Sequence, residues 1–297
     1  MRLFLLLPLL GLASCAAQET RANPPAVRLE DPKLTEASGL AISQRDPGFL
    51  WLVNDSGSAP IIHLADTHGH ARGTITLKGV KNTDWEDLAS FKLDGNPYLL
   101  VADFGDNDAR RDEVALHIVA EPKLPAADDT LGLTLKPDWT IRFRYEGGPR
   151  DCESVAIDLA NDHIILITKR DRPPMVYQLP LRKPAKRGVL TAEKLGPLAR
   201  LPLPPTSLPH PYGTQPTGLD FSPDGRLVIG YRGAYLFRRA AEQSWTEAFA
   251  LPPEILADHK LAQAEAIAFS RDGKTILMTS EGKRPRLLTV PVPPATP

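Results

Sequence analysis

The sequence predicts an all-β fold made of repeated hairpins, and two observations support this prediction. The chain of 297 residues contains 30 prolines, about twice the usual share of roughly 5%, and proline disfavours long helices but suits short strands joined by turns. An alternating apolar stretch, a turn and a second apolar run recur five times along the chain. Because no linker-like stretch separates these repeats, we expect them to form one domain rather than two.

Each repeat has the pattern of a β-hairpin. Turn signals such as Asp46-Pro47-Gly48 and Asp94-Gly95-Asn96 separate the two apolar halves. The first halves begin at a polar or acidic residue in every case, namely Ser38, Glu86, Glu153, Thr217 and Glu265.

Further strands are expected after each hairpin, so that a repeat contains four strands. The repeats begin at intervals of 48 to 67 residues, which is typical of propeller blades. We therefore predict a single β-propeller of five blades, or six if an insertion hides a degenerate one. Residues 27–29 are predicted to complete the last blade and close the ring. The outer strands of the third and fourth repeats are expected at residues 198–203 and 246–251, and proline-rich insertions at 122–137 and 181–197.

The N-terminus has the parts of an export signal. A positive charge at Arg2 is followed by an apolar run at residues 3–12, too short to span a bilayer. Leu12-Ala13-Ser14-Cys15 resembles the lipobox of bacterial lipoproteins. This resemblance implies a signal peptide at residues 1–14, lipidation of Cys15, a tether at 15–25 and a propeller domain at 26–297. By the same resemblance, Ala16 after the cysteine favours anchoring in the outer membrane, with the protein facing the periplasm. An ordinary secretory signal is the alternative.

Composition excludes several classes of protein. Hydrophobic residues make up 42% of the chain and charged residues 24%, which rules out a fully disordered chain. The 35 basic and 36 acidic residues nearly balance, which argues against a nucleic-acid-binding protein.

If Cys15 is lipidated, Cys152 has no intrachain disulfide partner, and its neighbours Asp151 and Glu153 make it a poor nucleophile. We expect it to be a buried structural cysteine.

Hairpin geometry predicts a charged cluster at one end of the ring. The start of the first strand and the end of the second lie at the same edge of an antiparallel hairpin. We therefore expect six carboxylates and two cations to meet near the axis: Asp55, Glu86, Asp103, Glu153, Glu265 and Glu281 with Lys169 and Arg232. Carboxylates without a histidine cluster suit Ca²⁺ or Mg²⁺. Structural ion pairs between the same residues are the alternative.

Two functions follow from this cluster. The first is an envelope-anchored propeller that binds a small molecule, a glycan or an envelope protein through its acidic face and meets the membrane only through its lipid. The second is a divalent-metal-dependent hydrolase of a phosphoester or lactone. The predicted metal ligands are Glu86, Glu153 and Glu265, with Ca²⁺ as the expected ion. The predicted bases are Asp55 and Asp103, the anion-binding residues are Lys169 and Arg232, and Trp85 is the ring expected to stack on a sugar or flat ligand.

Several motifs resemble a bacterial family of exported β-propellers, grouped with WD-repeat, TolB-like or phytase-like propellers. They are Asn54-Asp55-Ser56-Gly57, Asp84-Trp85-Glu86-Asp87-Leu88-Ala89, Ala102-Asp103-Phe104-Gly105-Asp106-Asn107 and Arg150-Asp151-Cys152-Glu153, with Gln263 to Ala268 and Ser280-Glu281-Gly282. The resemblance implies a propeller over nearly the whole mature chain but no settled activity. A weaker resemblance to gluconolactonase and regucalcin-type propellers implies one divalent metal, held here by residues of the type of Glu86, Glu153 and Glu265.

Overall fold

The structure is a computed structural model that describes residues 26–185, 188–203, 213–222, 225, 227–230, 232–240 and 242–294. These residues contain 21 β-strands and one short helix. Cys15 and the predicted segments at 1–14 and 15–25 lie outside the described residues. No described helix has the length and apolar character needed to cross a membrane.

The strands follow the five repeats in chain order. Before the first repeat lies β1 (Ala26–Arg28), and the first repeat contains β2 (Ala37–Ile42), β3 (Phe49–Asn54), β4 (Ile61–Asp66) and β5 (Ala71–Leu77). The second contains β6 (Trp85–Leu93), β7 (Asn96–Asp103), β8 (Val114–Ala120), β9 (Leu131–Leu135) and β10 (Trp139–Tyr145). The third contains β11 (Cys152–Asp158), β12 (His163–Thr168), β13 (Met175–Pro180) and β14 (Val189–Pro197). The fourth contains β15 (Leu219–Phe221), β16 (Leu227–Gly230), β17 (Gly233–Phe237), α1 (Trp245–Phe249) and β18 (Glu254–Asp258), and the fifth β19 (Ala264–Phe269), β20 (Thr275–Ser280) and β21 (Arg286–Pro291).

The sheets form a ring of four-stranded units, so the predicted all-β propeller fold is confirmed. The first strand of each unit contacts the first strands of the two neighbouring units, in the closed order β2, β6, β11, β15, β19 and back to β2. At the closure β1 pairs antiparallel with β21, with Val27 opposite Leu287, as expected for the segment at 27–29. The described residues form five such units; the choice of five over six blades for the whole chain stays a prediction.

Two long insertions supply strands to the outer edges of the ring. The first contains β9, which pairs in parallel with β5. The second contains β14, which pairs with β13 and also in parallel with β10. This last pairing joins the second and third units into one eight-stranded sheet. Both pairings cover outer strands whose backbone groups would otherwise form open sheet edges.

Two predicted outer strands are wrong. Residues 198–203 form no strand, because β14 inside the preceding insertion occupies that position. Residues 246–251 overlap α1 instead, and β18 follows as the outer strand of the fourth unit. Ser244 caps the N-terminus of this helix. Its side chain accepts a hydrogen bond from the backbone N–H of Glu247, and the Glu247 side chain accepts one from the backbone N–H of Ser244. Such a capping box stabilises the first helical turn. Trp245 and Phe249, four residues apart, are then both buried on one side of the helix.

The apolar core lies between neighbouring sheets, and it requires close approach of the inner strands. At Gly39 of β2 a Cβ atom would lie 2.6 Å from the backbone nitrogen of Leu88 in β6, so only glycine permits this packing distance. Trp51 and Trp85 are both fully buried in the core between the first two units. Cys152 is buried with its Sγ 3.1 Å from the carbonyl oxygen of Ile167, which confirms the predicted structural cysteine. Burial raises the pKa of its thiol to about 12.

A buried carboxylate links the first two units and provides a test of the packing. Glu121, directly after β8, accepts hydrogen bonds from Trp51 Nε1 at 2.8 Å, the backbone nitrogen of Gln44 at 3.0 Å and the Ser43 hydroxyl. Replacing it by leucine leaves the buried indole N–H without an acceptor. We expect Glu121→Leu to lower the free energy of unfolding by about 1–3 kcal/mol in urea denaturation. Glu121→Gln keeps an acceptor and should cost less; equal losses would contradict this account.

Candidate functional site

A repeated β-bulge re-aims one residue in four of the five inner strands. In β6 the register shifts between Trp85 and Asp87, and in β11 between Cys152 and Ser154, so that Glu86 and Glu153 are the extra residues. The same shift occurs in β2 and β19 around Ser38 and Glu265. Because a bulge re-aims a side chain without ending the sheet, these four residues lie at equivalent positions at one end of the ring.

A hydroxyl group takes the place of the carboxylate at the bulge of β2, and another lies just before β15. Ser38 donates to the carbonyl oxygen of Trp85 at 2.9 Å, and Thr217 Oγ1 lies 2.7 Å from the carbonyl oxygen of Ala264. Each acceptor belongs to the residue directly before a glutamate, Glu86 or Glu265. These hydrogen bonds therefore hold the backbone in place next to Glu86 and Glu265.

The carboxylates meet as predicted, although not in the predicted set. Asp55, Asp84 and Glu86 each offer an oxygen atom within 4.8 Å of the others, and so do Glu86, Asp151 and Glu153. We call these five residues the acidic cluster. Glu86 belongs to both groups and is 4% exposed, while Asp55 and Asp84 are half-buried.

The acidic cluster is costly to keep ionised. Burial and the neighbouring carboxylates of Glu153, Asp55 and Asp84 raise the pKa of Glu86 well above its usual value. Burial and the neighbouring Asp55 carboxylate raise the pKa of Asp84 to about 6. Burial also raises the pKa of Glu153 to about 8, although the Lys169 ammonium opposes the shift. A bound cation would favour the charged form of each group.

Lys169 supplies a positive charge next to the acidic cluster. It follows β12, forms an ion pair with Glu153, and its Nζ lies 3.8 Å from Glu265 Oε1. Burial lowers the pKa of Lys169, but the carboxylates of Glu153 and Glu265 raise it above its usual value overall. Glu265, whose pKa burial and Glu153 raise to about 9, is therefore grouped with Lys169 and Glu281 rather than with the acidic cluster.

Asp103 is held in a structural ion pair. Its Oδ1 lies 2.7 Å from Arg111 Nη2, and its carboxylate accepts weak hydrogen bonds from the backbone nitrogens of Thr83 and Asp84 at 3.3 Å. The carboxylate thus orders the loop that carries Asp84. Of the two predicted bases, Asp103 is engaged by Arg111, whereas Asp55 is half-exposed and belongs to the acidic cluster.

The two other predicted ligand-binding residues differ in position. Trp85 is fully buried in the core between units, so its ring has no face available to a sugar. The prediction that Trp85 stacks on a ligand is therefore wrong. The reason is that the bulge aims Glu86, and not Trp85, at the axis. Arg232 is half-buried in the turn between β16 and β17, at the same end of the ring as the acidic cluster. Its role in binding an anionic group stays a prediction.

The sequence contained a signal for the residues that were missed as ligands. Asp84 and Asp151 each precede a bulge glutamate by two positions, in Asp84-Trp85-Glu86 and Asp151-Cys152-Glu153. The same spacing in two blades indicates that both aspartates lie beside a bulge glutamate.

Gly105 is a further residue of the site. A Cβ atom there would lie 2.3 Å from Glu86 Oε1 and 2.6 Å from Asp84 Oδ2. Its lack of a side chain leaves space directly over both carboxylates.

Comparisons with known proteins give no family for this chain. No family model and no curated protein sequence matches it. Among solved structures, it is similar to the hydrazine synthase of Kuenenia stuttgartiensis, with 14% identity, a TM-score of 0.40, and coverage of 86% of this chain and 71% of that one. It is also similar to a gluconolactonase from Xanthomonas campestris, with 12% identity, a TM-score of 0.45, and coverage of 86% and 72%. These similarities carry no argument about activity or substrate.

Proposed function

We propose that this protein binds a divalent cation, Ca²⁺, in the acidic cluster and uses it to hold a ligand at that end of the ring. The observation that carries the proposal is the sharing of Glu86 between two groups of carboxylates whose oxygens lie within 4.8 Å of one another. Carboxylate oxygens are the ligands that Ca²⁺ and Mg²⁺ prefer. Ca²⁺ accepts an irregular set of six to eight oxygens, which suits a cluster built from separate strand ends.

Two local features support a cation over a set of structural ion pairs. Lys169 pairs with Glu153 and approaches Glu265, and Arg170 Nε lies 2.6 Å from Asp151 Oδ2, so these two cations neutralise one side of the group. On the other side, the neighbours that raise the pKa of Glu86 include Asp55 and Asp84. Gly105 keeps the space above Glu86 and Asp84 free of a side chain. A cation in this space would neutralise carboxylates that Lys169 does not pair.

Calcium is expected to raise the thermal unfolding temperature of the full-length protein, measured by scanning calorimetry after treatment with EDTA. Binding to the folded state alone stabilises it by mass action. Glu86→Gln should abolish this rise, because it removes the carboxylate that both groups share. At high pH, where Glu86 is ionised despite its raised pKa, the same variant should raise the unfolding temperature in EDTA, because a neutral group of the same shape replaces a buried charge.

Glu113→Gln is the matched control, since Glu113 is a partly exposed carboxylate paired with Arg142 and lies outside the acidic cluster. It should respond to calcium as the natural protein does. Gly105→Ala should weaken the response by placing a methyl group over Glu86 and Asp84. No calcium-dependent shift in the natural protein, or an unchanged shift in Glu86→Gln, would refute the proposal.

A metal-dependent hydrolase is the second candidate function. The half-exposed position of Asp55 beside Glu86 favours it, because a carboxylate next to a bound cation can accept a proton from an attacking water molecule. Lys169 and Arg232 would then bind an anionic group of a phosphoester or lactone. Binding without turnover would leave the first proposal intact and remove this one.

We also propose that the protein is held in the bacterial cell envelope by a lipid on Cys15, in the outer membrane and facing the periplasm. The support is the N-terminal sequence, where Leu12-Ala13-Ser14-Cys15 follows a short apolar run. Residues 15–25 would tether the propeller to the membrane. The ligand at the acidic end would then be a small molecule, a glycan or another envelope protein.

A further inference from the structure

The end of the ring opposite the acidic cluster contains a cavity on the axis. It is lined by the far ends of all five inner strands, including Ile42 of β2, Ser90 of β6, Ile157 of β11, Phe221 of β15 and Phe269 of β19. The acidic cluster lies at the starts of these strands, so the two sites lie at opposite ends of the axis. The cavity volume is about 710 Å³, within the range of small-molecule sites.

Three cations line this cavity, and the two aspartates of its described lining, Asp158 and Asp220, already have hydrogen-bond partners. Lys92, Arg239 and Arg271 are part of the lining. Asp158 accepts hydrogen bonds from Trp245 Nε1 at 2.8 Å and Asn161 Nδ2 at 2.7 Å. Asp220 accepts the backbone N–H groups of Phe221 and Phe269, each at 2.8 Å, and burial raises its pKa to about 7.

Among the described residues, these three cations have no carboxylate partner. Within the described part of the chain, neither Lys92 nor Arg271 forms an ion pair. The guanidinium of Arg239 lies 4.8 Å above the Trp245 ring and donates through Nη1 to the carbonyl oxygen of Gln243. Its Nε atom is buried and has no hydrogen-bond partner in the described chain. A buried N–H donor of this kind calls for an acceptor.

Apolar surface lies beside these charges. The lining includes Leu159, which is 46% exposed, and the half-buried ring of Phe221. Phe91, Trp245 and Phe269 also belong to it but are largely buried. Small-molecule sites combine an apolar lining with a few polar groups that fix orientation. We propose that this cavity binds a small organic anion with a planar apolar body, whose anionic groups are held by Lys92, Arg239 and Arg271.

The planar trisulfonate pyranine is a suitable probe, and its binding to the full-length protein can be followed by fluorescence anisotropy at 0.15 M salt. We expect one saturable site, and at least a fivefold loss of affinity in Arg271→Glu and in Lys92→Glu. Both residues are exposed, so these changes should leave the fold intact. Lys136→Glu makes the same charge change at an exposed position outside the cavity and should bind pyranine normally.

A steric variant separates the cavity from surface charge alone. Ala160 is an exposed turn residue in the lining, and Ala160→Trp should fill part of the space and weaken pyranine binding without changing any charge. Absence of saturable binding to the natural protein would overturn the proposal. So would equal losses in Arg271→Glu and Lys136→Glu, or an unchanged affinity in Ala160→Trp. Glu86→Gln should bind pyranine normally, which keeps this test independent of the cation site.

Discussion

Lys169→Met is expected to lower the free energy of unfolding of the cation-free protein by about 3–5 kcal/mol, the cost of removing one partner of a buried ion pair. The Lys169 side chain is 12% exposed and Glu153 is 4% exposed. Without the ammonium group, the Glu153 carboxylate lies beside those of Glu86 and Asp151. It then has no ion-pair partner of its own among the described residues, because Arg170 pairs with Asp151. Urea denaturation in EDTA at pH 8.5 measures the loss. It should be smaller at pH 5.5, where Glu153 can take up a proton instead.

Two further variants test the cause of this loss. Lys169→Arg keeps the positive charge and should cost less than Lys169→Met. The double variant Lys169→Met with Glu153→Gln removes both charges and should recover part of the stability, because no buried charge is then left without a partner. If the double variant is as unstable as the sum of the two single variants, the ion pair is not the reason for the loss.

Raising the pH from 5 to 9 is expected to destabilise the cation-free protein by more than about 1.4 kcal/mol, the equivalent of one pKa unit. The folded pKa values of Glu153 and Glu265 are raised to about 8 and about 9 from an ordinary 4.5. Between these limits the folded state binds more protons than the unfolded state, so the free energy of unfolding falls as pH rises. The stabilisation is complete below pH 4.5 and is lost as pH passes through the folded pKa values.

Calcium should reverse the part of this pH dependence that comes from Glu153, because a bound cation stabilises the ionised carboxylates of the acidic cluster, whereas the part that comes from Glu265 should persist. Urea denaturation at pH 5, 7 and 9, with EDTA and with calcium, makes the comparison. Asp87 and Asp220 also have raised pKa values through burial, but they lie outside the acidic cluster, so their contribution should persist when calcium is added. A stability that rises with pH in EDTA would contradict the proposed desolvation of these carboxylates.

The repeat made the ring predictable, whereas the outer strands depended on competing interactions. Alternating apolar residues and turn signals in each repeat specify hairpins locally, and the inner strands lie where the sequence places them. The outer strand of the fourth unit was wrong because the capping box at Ser244 and Glu247 favours a helix over residues 245–249. The outer strand of the third unit was wrong because β14 gains a second partner, β10, which no local pattern reveals.

Of the site, the sequence by itself determined that acidic residues at strand starts meet at one end of the axis, since antiparallel pairing brings those ends together. Tertiary structure decided which of them become neighbours. The bulge in β6 places Glu86 next to Asp84 and Asp151 and leaves Trp85 buried. Arg111 holds Asp103 in an ion pair. Which carboxylates become neighbours depends on distances of a few ångströms between strands that are far apart in sequence. Hydrophobic periodicity specifies the face of the sheet that a side chain occupies, but it does not specify these distances.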